Sequence, residues 1–271
     1  MGDYDFSVAM CVYGGDNAEH FDEALKSVFN QTIMPNEVVL VVDGPIPDSI
    51  DKVISCHLRH VEFKVYRLVE NMGHGIARQE SLKHCTNKYI AIADADDVND
   101  RTRFEKEINE FKKNDRLSVV SSYCKHFEKN IEDFSYEEKV PISDADIKKS
   151  MKTRCPICQP SVMFKKEDVM NVGGYIDWYF AEDYYLWLRL MLNGSEFKNI
   201  PETLLYLRTT DEQMNRRGGW KYFDSMRKLY GFMFKNHIIN IGIYFFNVCS
   251  RFALQVLMPA KVRGFIRKRF L

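Results

Sequence analysis

The residues best suited to chemistry form an acidic cluster, Asp94-Ala95-Asp96-Asp97, which directly follows a short apolar run. Three carboxylates this close repel one another unless water or a cation offsets their charge. Hard divalent ions such as Mg²⁺ and Mn²⁺ take oxygen ligands and share them with phosphates. The cluster therefore indicates a metal site, or alternatively an acidic loop that caps the helix after it.

A second acidic pair, Glu182-Asp183, opens a predicted helix over residues 181–192 and lies within an aromatic run. A carboxylate at a helix N-terminus satisfies free backbone N–H groups and interacts favourably with the helix dipole. The same position suits a general base that takes a proton from a hydroxyl group. Spacing alone leaves both interpretations open.

Two glycine-containing segments could contact phosphate. Gly73 and Gly75 follow an apolar run and open a helix, but the third glycine of the dinucleotide-binding pattern is replaced by Arg78. Arg78 could reach a phosphate or could be a solvated surface residue. The turn Arg216-Arg217-Gly218-Gly219 could clamp a diphosphate as a lid, or could be a plain linker.

The elements that position these residues alternate between strands and helices. Continuous apolar runs predict buried strands at 6–13, 37–42, 63–69 and 89–93, with helices at 18–30, 49–58 and 76–84 between them. This order predicts an α/β fold with a mainly parallel sheet flanked by helices. Ligands bind at the carboxyl ends of such strands, which here carry Tyr13, Asp43, Asn71 and the acidic cluster.

Charge is distributed unevenly along the chain. Lys and Arg total 38, as do Asp and Glu, yet the segment from Ser225 to Leu271 contains nine basic residues and no acid. We therefore expect a catalytic domain over residues 1–224 and a basic tail over residues 225–271 that meets an anionic surface. No nucleic-acid partner is expected.

The tail contains a long apolar segment, residues 238–258, which is predicted to be an amphipathic helix. At 100° per residue its polar side chains fall on one stripe: Asn240, Asn247, Arg251 and Gln255. Arg251 near the centre argues against a membrane-spanning helix. Binding in the interface of an anionic membrane explains both the apolar face and the basic cluster after Pro259. Packing on the catalytic domain or on a dimer partner is the alternative.

The N-terminus and the cysteines indicate a cytoplasmic protein. Residues 1–6 have neither a basic region nor an apolar stretch, so no signal peptide is predicted. The seven cysteines are odd in number and scattered, which predicts a reducing compartment and no disulfide framework. Cys155 and Cys158 form a CxxC without a second pair of metal ligands, so a simple loop is favoured.

Four segments, in this order, resemble the family 2 glycosyltransferases of GT-A fold. They are FSVAMCVYGGDNAEHFDEALKSVFNQT (6–32), EVVLVVDGP (37–45), NMGHGIARQESLKHCTNKYIAIADADD (71–97) and FAEDYYLWLRL (180–190). The resemblance covers about Phe6 to Arg208. The segment RRGGWKY (216–222) and the basic tail are similar to bacterial members that build exopolysaccharide or O-antigen repeat units.

The resemblance implies a role for individual residues. Asp183 matches the catalytic base of inverting enzymes, and Asp94 and Asp96 match a DxD motif that holds Mn²⁺ or Mg²⁺, with Asp96 the direct ligand. The nucleotide-binding positions are Val12, Tyr13, Asp43, Asn71, Gly73, Arg78 and Asp94, with Asp43 bonded to uracil. Further contacts to diphosphate or acceptor are expected from Glu182, Arg208 and Arg217.

Two departures from the family pattern concern the same contacts. Val42 stands where many members have a first acid before the glycine, although the acid expected to touch the base, Asp43, is present. Thr209 follows Arg208 where many members have histidine, which leaves the diphosphate contacts of this region open.

The implied activity is inverting transfer of a sugar from a nucleotide diphosphate sugar, UDP-linked, to a saccharide acceptor. The acceptor is expected to be linked to polyprenyl diphosphate, and the enzyme to be peripheral on the cytoplasmic face of the membrane, in bacterial surface polysaccharide biosynthesis. A nucleotidyltransferase is an alternative, but it would need a basic glycine-rich loop where this chain has Gly14-Gly15-Asp16. A non-catalytic membrane scaffold, the other alternative, would need neither Asp96 nor Asp183.

Overall fold

A single mixed sheet organises the chain, with helices on both of its faces. The computed structural model describes residues 4–59, 62–210 and 218–258. The strands are β1 Phe6–Tyr13, β2 Glu37–Asp43, β3 Glu62–Arg67, β4 Tyr89–Asp94, β5 Val98–Asn99, β6 Leu117–Phe127, β7 Tyr136–Glu138, β8 Met163–Lys165 and β9 Glu196–Arg208. The helices are α1 Ala18–Phe29, α2 Asp48–His57, α3 His74–His84, α4 Arg103–Lys113, α5 Asp144–Ser150, α6 Lys166–Asn171, α7 Glu182–Leu192, α8 Gly219–Lys235 and α9 Ile241–Phe252.

The first half of the sheet has the predicted topology. Strands β3, β2, β1 and β4 lie side by side in that order and are all parallel. Their continuous apolar runs are buried because α1 and α2 cover one face and α3 the other. The N-cap of α1 is Asn17, whose side-chain oxygen accepts hydrogen bonds from Glu19 N–H and His20 N–H at 2.8 and 3.1 Å.

The second half of the sheet departs from the prediction of a mainly parallel sheet. Four of the eight strand pairings are antiparallel, all of them involving β5, β7 or β8. The long strand β9 was not predicted, because Pro201 and Glu202 interrupt its apolar pattern. A register shift opposite β6 between Ile200 and Thr203 accommodates these two residues as a bulge.

Two hydrophobic cores lie on opposite faces of the sheet, so that successive side chains of β1 enter different cores. Trp187 of α7 is fully buried, and Leu229, Tyr230 and Met233 of α8 pack into the same core. Burial of each such side chain contributes roughly 1.5–3 kcal/mol. Helix α8 continues through residue 224, where a boundary between domain and tail was predicted, and its buried residues share a hydrophobic core with α7.

One disulfide bond joins Cys124 of β6 to Cys158, with the two sulfur atoms 2.21 Å apart. The sequence predicted no disulfide framework, and this single bond is the exception among the described residues. The two cysteines are 34 residues apart, and Cys158 reaches β6 because a short 3₁₀ turn at Gln159–Ser161 packs against that strand. Cys155, the other residue of the CxxC, is a free thiol.

The predicted helix over residues 238–258 consists of α9 and a π-helical turn, Ala253–Leu257. Its polar stripe faces the protein and not water, because Asn247 and Gln255 are buried, and its apolar side is turned outward. Among the residues that the structure describes, no helix is both long and apolar enough to cross a membrane.

Candidate active site

The residues with a predicted role in binding or catalysis lie together at one edge of the sheet. In the strand register Tyr13 of β1 lies opposite Asp43 of β2, and Cys11 of β1 lies opposite Asp94 of β4. Neighbouring parallel strands thus end together and place their terminal side chains side by side. Val12 is buried beneath this edge, whereas Tyr13 exposes about a third of its surface (36%). The Tyr13 ring lies over Gly15, where an added Cβ would come within 2.6 Å of the ring.

Asp43 is buried and holds the loop that follows β3. Its two carboxylate oxygens accept hydrogen bonds from Met72 N–H at 2.7 Å and Gly73 N–H at 3.1 Å. The Asn71 side-chain amide donates to the Asp43 carbonyl at 3.3 Å. Gly44 makes this approach feasible, since its φ is +83° and a Cβ there would lie 2.6 Å from the Asn71 nitrogen. Asp43 therefore fixes the predicted nucleotide-binding loop to the end of β2.

Arg78 of α3 connects the strand edge to the helix that carries the second acidic pair. One terminal nitrogen of its guanidinium donates to both oxygens of Asp94, at 2.9 and 3.0 Å. The other terminal nitrogen donates to Glu182 at 3.1 Å, across 104 residues of sequence. Arg78 is buried (4% exposed), so it is not a solvated surface residue. Its desolvation is offset by the two carboxylates, which together leave the trio with one negative charge.

The ion pair also sets the protonation of Asp94. Burial alone would raise the pKa of its carboxyl group, but the Arg78 guanidinium outweighs burial and holds the pKa below its ordinary value. Asp94 is therefore ionised at neutral pH. Arg78 in turn lowers the pKa of His74, at the start of α3, to about 4, which keeps this imidazole neutral.

Helix α7 begins at the predicted Glu182-Asp183 pair, and the two residues have different environments. Glu182 points to Arg78, whereas the half-buried Asp183 accepts a hydrogen bond from Tyr184 N–H at 2.6 Å. The preceding residue, Ala181, makes no side-chain cap. Asp183 thus satisfies one backbone donor of the first turn and presents a carboxylate beside the Arg78 network.

The acidic turn after β4 is held by the end of β9. The Arg208 N–H donates to the Asp97 carboxylate at 2.8 Å, and Arg208 Nε donates to the Asp96 carbonyl at 3.0 Å. The remaining Arg208 nitrogens donate hydrogen bonds to the Glu128 carbonyl and to the Glu23 carboxylate. Burial, together with the charges of Asp96 and Asp94, raises the pKa of Asp97 well above its ordinary value. Arg208 therefore holds the acidic turn in this structure, and its expected contact with a diphosphate stays a prediction.

Asp16, in the loop after β1, is a site residue to which sequence reasoning gave no chemical role. Its carboxylate accepts a hydrogen bond from Tyr13 N–H at 2.9 Å. Burial and repulsion by Asp96 and Asp94 raise its pKa to about 7, although the Tyr13 bond opposes this. Asp16 is thus close enough to Asp96 and Asp94 to interact with them electrostatically. The only signal in the sequence was its position three residues after the end of β1.

Two sequence predictions about the site stay predictions. Arg217 lies outside them. Within residues 4–59, 62–210 and 218–258, no group of three or more His, Cys, Asp or Glu side chains is arranged to hold a metal ion by itself.

Comparisons with known proteins agree on one family and fold. The model of "Glycosyl transferase family 2" matches residues 7–173. The chain is 35% identical to the UDP-Gal:alpha-D-GlcNAc-diphosphoundecaprenol beta-1,3-galactosyltransferase of Escherichia coli, over 97% of this chain and 95% of that protein. It is 29% identical to the amylovoran biosynthesis glycosyltransferase AmsE of Erwinia amylovora, over 97% and 98%. The mannosyltransferase PcManGT of Pyrobaculum calidifontis, solved with GDP-Man and Mn²⁺, superimposes with a TM-score of 0.64 at 15% identity, over 97% of this chain and 79% of that one.

Proposed function

We propose that this chain, which belongs to glycosyl transferase family 2 and has the GT-A fold, transfers a sugar from a UDP-sugar to a lipid-linked saccharide with inversion of configuration. One observation carries the proposal. Arg78 joins Asp94, at the edge of the sheet, to Glu182, the neighbour of Asp183. The edge suited to the nucleotide and the carboxylate suited to the acceptor are therefore parts of one network.

The nucleotide occupies the edge formed by β1 and β2. Val12 and Tyr13 flank the base, and the Asp43 carboxylate uses its remaining lone pairs to accept a hydrogen bond from uracil. The Asn71 to Gly73 loop, which Asp43 fixes, lies next to the nucleotide. These contacts are remote from the reacting carbon, so they bind ground state and transition state alike.

Asp183 acts as the general base. It removes the proton from the acceptor hydroxyl while the oxygen attacks the anomeric carbon and the bond to the nucleotide diphosphate breaks. A single in-line displacement inverts the anomeric configuration. Glu182 stays paired with Arg78 and positions the start of α7, so the two adjacent acids have separate tasks.

The residues at this edge fit a divalent ion of the Mg²⁺ or Mn²⁺ type. Asp96 would hold it, with Asp94 and Asp16 nearby. Burial raises the pKa of Asp16 most, and a cation would relieve the repulsion by Asp96 and Asp94 that adds to this effect. Such ions are bound by one or two carboxylates together with substrate phosphates, so a complete protein cage is not required. When bound, the ion offsets the negative charge that develops on the leaving diphosphate.

The acceptor follows from the relatives. The Escherichia coli relative is named for an acceptor linked to diphosphoundecaprenol, and AmsE is named for amylovoran biosynthesis. For this chain we infer an acceptor saccharide on a polyprenyl diphosphate at the cytoplasmic face of the membrane, in bacterial surface polysaccharide biosynthesis.

A panel of UDP-, GDP- and dTDP-sugars tests the proposal. With a short-chain polyprenyl-diphosphate-linked saccharide as acceptor, we expect release of UDP and a product whose anomeric configuration, measured by NMR, is inverted. Retention of configuration would overturn the mechanism. Release of pyrophosphate from a nucleoside triphosphate would indicate a nucleotidyltransferase, and absence of turnover with every donor would favour a scaffold.

A further inference from the structure

The last described helix is oriented with its polar side inward. Asn247 is 2% exposed and its side-chain amide donates to the Lys152 carbonyl at 2.8 Å. Arg251 donates through Nε to the Tyr230 hydroxyl at 3.1 Å, and Gln255 is 4% exposed. Buried polar groups are costly unless they are hydrogen-bonded, and these bonds fix which side of α9 faces the protein.

The outward side of α9 and the π turn is apolar, and we call it the docking face. It consists of the exposed residues of this stretch, namely Ile241, Gly242, Phe245, Phe246, Cys249, Ala253 and Leu257. Phe246 and Leu257 expose 66% and 67% of their surfaces. Within residues 241–257, all of which the structure describes, no exposed position carries a charged side chain. Isolated exposed apolar residues are ordinary, but a contiguous face of them marks an interaction surface.

We propose that the docking face inserts into the interface of an anionic lipid membrane. The charge of the adjoining chain selects this occupant. Five basic residues follow within twelve residues of the docking face, near Phe265, Ile266, Phe270 and Leu271. They are Lys261, Arg263, Arg267, Lys268 and Arg269. From Ser225 onward the sequence has no acid that would oppose this charge. An apolar helix face joined to a basic, aromatic segment matches the chemistry of a leaflet rich in anionic headgroups.

The docking face continues towards the candidate active site. Trp220, which is 65% exposed at the start of α8, contacts Phe252 with ring centroids 5.7 Å apart. Two residues further, Tyr222 meets Phe180 at 6.3 Å, and Phe180 precedes Asp183 by three residues. Docking therefore brings the α7 end of the site close to the lipid surface. This consequence rests on the proposed function, whereas docking itself does not.

Two exposed free cysteines allow a test on the otherwise unchanged full-length chain. Cys249 lies on the docking face, and Cys56 lies on α2, in the other core region. An environment-sensitive fluorophore on Cys249, in a Cys56→Ser background, should shift to the blue when phosphatidylcholine vesicles containing phosphatidylglycerol are added. The same label on Cys56, in a Cys249→Ser background, should not change. No shift at Cys249, or equal shifts at both positions, would overturn the proposal.

Vesicle flotation measures the contributions of apolar face and charge. Phe245→Ser with Phe246→Ser should lower the partition coefficient on the order of 30-fold. The matched control, Leu58→Ser with Phe134→Ser, removes exposed apolar residues elsewhere and should leave it unchanged. Replacing the five basic residues after Pro259 by Gln should lower binding to anionic vesicles on the order of 100-fold and make it equal to binding to neutral vesicles.

Two further measurements separate the competing explanations. If the Phe245→Ser, Phe246→Ser variant turns a dimer into a monomer by light scattering and still floats with vesicles, the face is a subunit interface and the proposal is wrong. UDP release on a water-soluble acceptor without vesicles should be the same in this variant as in the wild type. Normal turnover with loss of flotation supports docking, whereas flotation without turnover for any donor contradicts only the proposed function.

Discussion

The strand edge at Asp94 and the helix α9 both bury polar groups, but the burial has a different consequence in each region. At the edge, Arg78 is buried between Asp94 and Glu182, and this charged network holds two distant elements in a fixed relation. In α9, Asn247 and Arg251 are turned inward by bonds to a carbonyl and a hydroxyl group, and the apolar side is left outside. A polar residue in a sequence pattern therefore marks a contact without telling whether the contact is with water, with the protein or with a ligand.

The largest effect should come from Asp96, the acid that we propose as the metal ligand. Asp96→Ala should lower turnover by more than about 10³-fold, because loss of charge stabilisation on the leaving diphosphate costs several kcal/mol. Wild-type activity should also be lost in excess EDTA and return with Mn²⁺ or Mg²⁺. Asp115→Ala, which removes an exposed acid before the start of β6, is the control and should not differ from wild type. Full activity in EDTA would contradict the metal assignment.

The next effect tests the division of labour between Glu182 and Asp183. Asp183→Asn keeps the shape of the side chain but cannot accept the proton, so kcat should fall about 10²- to 10⁴-fold with donor affinity unchanged. Glu182→Gln weakens the contact to Arg78 without removing the base, and a loss of about tenfold is expected. Transfer assays and donor titrations of both variants decide the matter. If Glu182→Gln were the more damaging change, Asp183 would be the helix cap and Glu182 the base.

The strand edge of the site could be predicted from the sequence, whereas the contact between Arg78 and Glu182 could not. Parallel pairing of apolar strands places Tyr13, Asp43 and Asp94 at one edge, and the register confirms it. The pairing of Arg78 with Glu182 spans 104 residues, and no spacing rule predicts it. Asp16 was missed for the same reason, because its electrostatic interaction with Asp96 and Asp94 acts through space and not along the sequence.

The second half of the chain was harder to predict because its contacts are less local. Strand β9 contains Pro201, which a regular strand excludes, and only the bulge opposite β6 makes it compatible with the sheet. The stripe of α9 was found from its periodicity, but periodicity is the same whether the stripe faces in or out. Its direction depends on Lys152 and Tyr230, which belong to other elements.

A smaller effect should come from Asp43, because its proposed contact with the nucleotide is the same in the ground state and in the transition state. Asp43→Ala should raise the dissociation constant of the donor roughly tenfold and change kcat little. Asp43→Asn is the matched variant, since it retains an oxygen for one of the Met72 and Gly73 amides and should fall between alanine and wild type. Calorimetric titration with the UDP-sugar gives the affinities. Unchanged affinity in Asp43→Ala would separate Asp43 from the nucleotide.

The last effect, on stability and not on activity, concerns a buried ion pair that has no part in the reaction. Arg103 and Glu107 of α4 are fully buried, with Nε 3.0 Å from a Glu107 oxygen, and burial raises the pKa of Glu107 to about 7 despite the Arg103 charge. The other Glu107 oxygen has no hydrogen-bond partner among the described residues. Unlike Asp94, whose pKa Arg78 lowers, Glu107 thus favours its protonated form in the folded state.

The sign of the resulting pH dependence follows from linkage. The folded pKa of Glu107, about 7, lies above its ordinary value of 4.5, so the folded state binds the proton more tightly in this window. Stability attributable to Glu107 is therefore full below pH 4.5 and declines as pH rises to about 7, by at most about 3 kcal/mol. Urea unfolding at pH 5 to 8 should show a steeper decline for wild type than for Glu107→Gln, which cannot ionise. Parallel curves would mean that Arg103 fully compensates the charge of Glu107. The contrast with the pair of Arg78 and Asp94 would then disappear.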